Sequence, residues 1–270
     1  MSNDMTSVIQ SSRPLLAFRV VQWATLAALA WKIGGFVAMV NCYVAIPLNQ
    51  DFFPWVFRSS YVLTFAYLIG CISLACAALT QSARRRIIAT IVSLACMSIL
   101  CIHQGSHNDM TFATAWWTSL WSVWLATRLP IDAPESLIRR AAFVSRCIIS
   151  MILLGGAVGK WTSEYWSGQV LYEIYFEQRD FWFFNLLRSR FSLEGLRTVA
   201  TWYSRNVIIV ETLGGLGIWL LPPWWAAAVS IGVLASIATF SNFNLYSVLL
   251  SLMGLAAAGF FVALRVRTPD

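Results

Sequence analysis

Charge is scarce in this chain, and lysine is scarcer still. Of 270 residues only 11% are Asp, Glu, Lys or Arg, where a soluble domain carries about 25%. Hydrophobic residues make up 59% and the mean hydropathy is +0.67, so a water-soluble globular domain is excluded. No P-loop, GxGxxG turn, nucleophile elbow, HExxH helix or zinc-type cysteine spacing occurs, which removes the common routes to nucleotide, zinc and serine chemistry. The cysteines at 42, 71, 76, 96, 101 and 147 form no CxxC pair and mostly fall in apolar runs, as small buried hydrophobes do. The net charge of +7 comes from arginines outside any basic groove, so no nucleic-acid partner is expected. No internal repeat of the transporter kind is visible. Residues 1–14 are polar, with no short apolar segment ending in a cleavage site, so no removable signal peptide is expected.

What is present is a series of apolar runs. About 20 apolar residues cross a bilayer, and eight runs qualify, at 20–40, 61–80, 87–103, 111–126, 142–160, 207–221, 224–240 and 245–264. The expected architecture is all-α: one polytopic transmembrane helix bundle over 1–270, with about eight spans. Short-loop arginines test the count independently. Arg13, Arg19, Arg84, Arg85, Arg86, Arg128, Arg139, Arg140, Arg265 and Arg267 all fall on one side of an eight-span chain, and the opposite short loops carry only Arg58. Both termini are therefore expected in the cytoplasm, and the membrane is read as a bacterial inner membrane.

The long connection at 161–205 then lies outside. It mixes charges of both signs with Trp161, Trp166, Tyr172, Tyr175, Phe176, Phe181, Trp182, Phe183 and Phe184. Aromatic rings favour the headgroup zone, so this stretch is predicted to be an interfacial helical segment roofing the bundle between spans five and six. Trp116, Trp117, Trp121 and Trp124 are read as packing residues and interface anchors.

Both lysines, Lys32 and Lys160, occur in or at the edge of apolar runs, as does the acid Glu211. Ionised groups in hydrocarbon face a protein interior, a wet cavity or a partner. Eight-span topology brings Lys32, His103, Lys160, Glu211, Asn242 and Asn244 to one outer depth, with His107, Asn108, Asp109 and Glu164 in the adjoining outer segments. A polar cavity opening outward is expected there. Glycines at 155, 156, 159, 214, 215 and 217 are expected to let spans five and six approach closely and bring Lys160 to Glu211. A directly paired lysine is a structural ion pair or proton-relay member, whereas a desolvated, unpaired one can act as a base. Lys32 has Glu211 and Asp109 as candidate partners. His103 and His107 are four residues apart, but no third ligand is evident, so no metal site is expected.

Gly155-Gly156-Ala157-Val158-Gly159-Lys160-Trp161, followed by Trp166-Ser167-Gly168-Gln169, resembles the segment of the vitamin K-dependent gamma-carboxylase family in which a lysine ends an apolar helix. His107-Asn108 and Asn242-Phe243-Asn244-Leu245-Tyr246-Ser247 are similar to two further stretches of that family, which belongs to the HTTM (horizontally transferred transmembrane) superfamily. The resemblance implies that Lys160 is the catalytic base and that His107, Asn108, Glu211, Asn242 and Asn244 line a substrate cavity. Thr239, Phe240 and Ser241 stand where the family has a histidine. The chain stops at Asp270, soon after span eight, so protein carboxylation is not expected. A quinone-like or lipidic substrate in a membrane-embedded enzyme is one reading. A non-catalytic subunit of a larger membrane complex, contacting lipids and partner subunits, is the other.

Overall fold

The computed structural model of the chain describes residues 2–45, 59–102, 110–177 and 179–263. His103, His107, Asn108 and Asp109 lie outside the described residues. Among those that are described, all regular elements are helical. In chain order they are α1 (Ser2–Ala45), α2 (Ser60–Leu79), α3 (Ala83–Ile102), α4 (Thr111–Arg128), α5 (Pro134–Val158), the short α6 (Ser163–Trp166) and α7 (Gln169–Leu171), a π-helical stretch at Tyr172–Phe176, α8 (Trp182–Arg190), α9 (Leu193–Gly217), α10 (Pro223–Ser241), a 3₁₀ turn at Phe243–Leu245, and α11 (Tyr246–Ala263).

Among the described residues five helical stretches are long and apolar enough to cross a membrane: Arg13–Cys42 in α1, Ser60–Leu79, Pro134–Val158, Pro223–Ser241 and Phe243–Val262. α3, α4 and α9 fall outside these five, which departs from the expected eight. The reason is chemical. α3 opens on three arginines, α4 is rich in Ser, Thr and Trp, and α9 carries charged residues over its first half.

Helix ends follow local signals. Pro134 and Pro223 occupy first-turn positions, where a missing N–H costs nothing. Ser192 caps α9, its Oγ accepting from Gly195 N at 3.3 Å. α9 therefore starts at Leu193, well before the run expected at 207, and residues 193–205 are the first half of that one helix rather than part of a separate interfacial helical segment. α1 is likewise longer than expected and carries Pro14 inside it.

α1 is the central element, packing against α2, α4, α5 and α11. Its first half enters a core with Trp121, Leu125, Leu137, Ile138, Leu252 and Leu255. Its second half, through Leu29, Phe36 and Met39, enters a separate core with Leu63, Tyr67, Leu74, Met97 and Phe112. The helices also carry large apolar groups on their outward faces, although Leu63, Tyr67 and Leu74 of α2 are buried. On α2, Tyr61, Phe65, Leu68 and Ile72 are exposed while Ala66, Gly70, Ser73 and Ala77 are buried, the reverse of a helix in water and the pattern that close packing in lipid favours. Of the cysteines, Cys96 is buried whereas Cys42 and Cys76 are exposed, so the expectation of uniformly buried thiols does not hold.

Hydroxyl and indole groups stitch the helices together. Gln22 Nε2 donates to Ser122 Oγ at 2.6 Å and Thr25 Oγ1 to Thr118 Oγ1 at 3.1 Å, joining α1 to α4. Trp121 Nε1 donates to Ala141 O at 3.1 Å, joining α4 to α5. Ser150 Oγ donates to Gly215 O at 2.7 Å and accepts from Trp219 Nε1 at 3.0 Å, joining α5 to α9.

Close approach of α5 and α9 rests on one glycine of the six. A Cβ at Gly215 would stand 2.7 Å from Leu154 Cγ, whereas Gly155 and Gly217 have nothing within 4 Å. Gly168 is constrained differently. Its φ of 82° is left-handed, and a Cβ there would fall 2.5 Å from Thr201 Cα on α9. Gly168→Ala is expected to lower stability by about 2–4 kcal/mol, combining left-handed strain with overpacking against backbone. Gly217→Ala should change it by less than about 1 kcal/mol. Denaturant unfolding of the purified variants in detergent checks both.

Candidate functional site

α5 and α9 run antiparallel, and their register delivers Lys160 to Glu211. Lys160 follows the last turn of α5, where its Nζ donates to Gly156 O at 3.3 Å, satisfying a helix-end carbonyl. The same Nζ lies 2.8 Å from Glu211 Oε1 and 2.6 Å from Oε2. Side-chain exposure is 24% for the lysine and 9% for the glutamate. Both carboxylate oxygens thus face one ammonium in a largely dry setting. Such a lysine has no lone pair to offer until its proton moves to Glu211 or elsewhere.

The stretch after Lys160 is clamped onto the first half of α9. Three consecutive carbonyls accept from that helix: Tyr165 O from Ser204 Oγ, Trp166 O from Arg205 Nε at 3.2 Å, and Ser167 O from Thr201 Oγ1 at 2.6 Å. Trp161 Nε1 donates to Thr212 Oγ1 at 3.3 Å, beside Glu211. The Trp161 and Trp166 rings stack with centroids 5.4 Å apart, and Arg205 lies over Trp166 at 5.3 Å. Tyr165 is close enough that the Glu211 carboxylate, after burial and Tyr175, pushes its phenol pKa up. Beyond this clamp, Phe176 and Phe184 are fully buried with Leu196 and Ala200, surrounded by Tyr172, Tyr175, Phe181, Phe183 and Tyr203. These rings pack on one another and on α9, while Trp161, Trp166 and Trp182 are exposed.

The other residues expected at the site are dispersed. Glu164 is exposed in the first turn of α6; hydrogen bonds from its own backbone N–H, Ser163 and Thr162 hold its carboxyl below the usual range. Asn242 caps the 3₁₀ turn, its Oδ1 accepting from Asn244 N at 3.1 Å, and the Asn244 side chain is exposed. That turn adjoins Tyr203, whose hydroxyl is 2.9 Å from Ser241 Oγ. Tyr203 precedes Glu211 by eight residues, about 12 Å along the helix, so Asn242 and Asn244 do not converge on Lys160. Glu211 is taken by Lys160 rather than Lys32. Lys32 is half-buried on α1 with its ammonium alongside Gly35, where an added Cβ would stand 3.1 Å from Nζ. A polar pocket of about 490 Å³ does open between the segment that follows α5 and α9, but Ser167, Gly168, Gln169, Tyr172, Glu173, Glu177, Arg197 and Thr201 line it, not Lys160 or Glu211. Among the described residues no three His, Cys, Asp or Glu side chains gather as metal ligands.

No family model, curated protein or solved structure matches the chain.

Thr201, Ser204, Arg205 and Tyr165 were not anticipated. One signal existed: Thr201, Ser204, Ile208, Glu211 and Gly215 repeat at three- and four-residue steps, one helical face. It is visible only once the helix is extended back to Leu193.

Lys160→Met or Glu211→Leu alone is expected to cost about 2–4 kcal/mol, less than a wholly buried pair because the lysine keeps some solvent. The double variant Lys160→Met/Glu211→Leu should recover about half of the summed loss or more. A double-mutant cycle on thermal unfolding reads the coupling, and simple additivity would show that the pair contributes nothing specific.

Proposed function

We propose that this chain is an eight-span inner-membrane protein of HTTM type, in which Lys160 and Glu211 together exchange a proton with a quinone-like or lipidic substrate near the outer face. The observation that carries the reading is the ammonium held by both oxygens of a mostly buried carboxylate, at the position where the resembled family has its proposed base. Paired ionisable groups on membrane helices commonly mark proton paths.

α3, α4 and α9 are assigned as spans alongside the five apolar ones. Their 20, 18 and 25 residues correspond to roughly 27–38 Å of helix, close to the hydrocarbon thickness. Their polar groups have internal partners: Ser93 with Ser119 at 3.4 Å, Trp116 Nε1 with Ser98 Oγ at 3.0 Å, and Ser122 with Gln22. Both termini and the arginine-bearing turns face the cytoplasm in this arrangement, and the aromatic segment around 161–192 lies in the outer headgroup zone with Trp161, Trp166 and Trp182 at its surface.

In this chemistry Glu211 receives the proton of Lys160 and leaves a neutral amine. The amine removes a proton from an acidic O–H or C–H of the substrate, and the ammonium–carboxylate pair reforms when Glu211 releases its proton to water at the partly exposed Lys160 side. His107 and Asn108 are assigned to the substrate side on the resemblance alone.

A second reading is favoured by one observation. An apolar trough of about 460 Å³ runs between α4 and α5, lined by Trp117, Leu120, Trp121, Trp124, Val144, Cys147, Ile148 and Met151, and would seat a helix of a partner subunit. Here the ion pair is structural only.

The two readings separate on protein purified from native membranes into nanodiscs. Extracted lipids are identified by mass spectrometry, and deuterium uptake into any retained quinone-like or lipidic species is followed in D2O. The enzyme reading expects an enriched species whose exchange falls about 10²–10⁴-fold in Lys160→Met while helical circular dichroism is kept. No enriched species, together with loss of a copurifying subunit in Trp117→Ala/Trp124→Ala, would sustain the subunit reading instead.

A further inference from the structure

The arginines near the start of the bundle are of two kinds. Arg84, Arg85, Arg139 and Arg140 are exposed, and the last two are paired, Arg139 with Glu135 and Arg140 with Asp132, each at 3.0 Å. Such groups serve topology. Arg86 is turned inward and is 6% exposed. Its guanidinium lies over the Phe18 ring at 5.9 Å, and its Nη2 reaches only the carbonyls of Thr80 at 3.4 Å and Gln81 at 3.5 Å. Its Nε is buried with no hydrogen-bond partner.

Arg19 of α1 stands beside it, and both guanidiniums reach Gln81, one at its side chain and the other at its carbonyl. Arg19 Nη2 donates to Gln81 Oε1 at 3.4 Å, and its Nε too is buried without a partner. Neither arginine has a carboxylate within ion-pair distance among the described residues. Arg13, the other buried arginine, differs in having Glu135 at 3.6 Å.

Two neighbouring guanidiniums with idle donors and no acid form an unbalanced site, since burying a cation is unfavourable unless it is paired. The missing partner is an anion. Guanidinium forks match the oxygens of a phosphate. The first turn of α3, at Ala83 and Arg84, adds backbone N–H groups that have no intrahelical acceptor, with the positive end of the helix dipole. Leu16 and Val20 of α1, Leu79 of α2 and Ile88 of α3, all near these arginines in the chain, are exposed apolar side chains available to acyl chains.

We propose that Arg19 and Arg86 bind the phosphate of an anionic phospholipid, with the acyl chains lying along Leu16, Val20, Leu79 and Ile88. The site needs the chain to be in a bilayer, as in the reading above, and is independent of any chemistry at Lys160.

The test is lipid binding by the full chain in detergent, followed by native mass spectrometry and by the shift in melting temperature. The probes are phosphatidylglycerol, phosphatidylcholine and inorganic phosphate. Wild type should bind phosphatidylglycerol about tenfold or more tightly than phosphatidylcholine, and Arg86→Gln and Arg19→Gln should each weaken that binding about tenfold. Arg84→Gln, at an exposed position, should change it less than about twofold. If Arg86→Gln does not fold, Arg19→Gln carries the same expectation from the less buried partner. Equal binding of the two lipids, unchanged phosphatidylglycerol binding in the arginine variants, or full stabilisation by inorganic phosphate alone would each overturn the assignment. Deuterium exchange at the Lys160 site should be intact in Arg19→Gln, so failure here and failure there are separate results.

Discussion

A polar group lodged between helices keeps its place only if another protein atom takes its hydrogen bond, because an apolar surround offers no water to do so. Most of the inter-helix order in this protein follows from that requirement. Gln22, Thr25, Ser122, Trp121, Ser150 and Trp219 each close a bond across a helix pair. Individually such bonds contribute on the order of 1 kcal/mol, yet each also fixes a rotation and a depth. Apolar packing alone fixes these less sharply, since lipid tails compete for the same surfaces. Lys160 and Glu211 are the extreme case, where leaving either partner alone would strand a charge.

That pair has consequences beyond its two residues. α9 lies at the periphery, in contact mainly with α5, α10 and the outer segment. The ion pair and the Ser150–Gly215 contact hold one end of the α5–α9 seam and its middle, while the three clamped carbonyls tie the outer segment to the remaining length of α9. The aromatic cluster around Phe176 and Phe184 then grows on a platform already fixed by polar bonds. Proton chemistry, if carried out here, takes place where a rigid helix end, a peripheral helix and a folded cap meet. The opposite end of the bundle is governed by excess positive charge instead, with Arg19 and Arg86 drawn inward.

Much of the helix set was legible. Apolar runs at 61–80 and 224–240 match α2 and α10 within a residue or two at each end, since polar residues flank the first, Pro222-Pro223 and Asn242 bound the second, and neither carries an internal charge. α9 was misjudged because hydropathy windows follow apolar residues and not hydrogen bonds. Its charged first half reads as part of a separate interfacial helical segment, whereas Ser192 caps one continuous helix there and Thr201, Ser204 and Arg205 are used by the neighbouring segment. The six glycines near Lys160 and Glu211 suggested a long intimate contact. Only Gly215 sits where backbone proximity demands one, because glycine content says where close approach is allowed and not where it happens.

Sequence by itself determined the helical class, the apolar character and the short list of ionisable groups that could pair, since scarce charges in apolar runs have few ways to be neutralised. It also indicated, through the arginine distribution, an asymmetry between the two faces. Tertiary structure alone decided that Glu211 takes Lys160 rather than Lys32, and that Asn242 serves a turn instead of the pair. It decided too that Arg86 points inward while Arg84 and Arg85 do not. These choices turn on the relative rotation and axial offset of separate helices, a few ångströms and tens of degrees. Such offsets are set by the sum of many side-chain contacts between segments far apart in the chain, and local sequence carries no record of that sum.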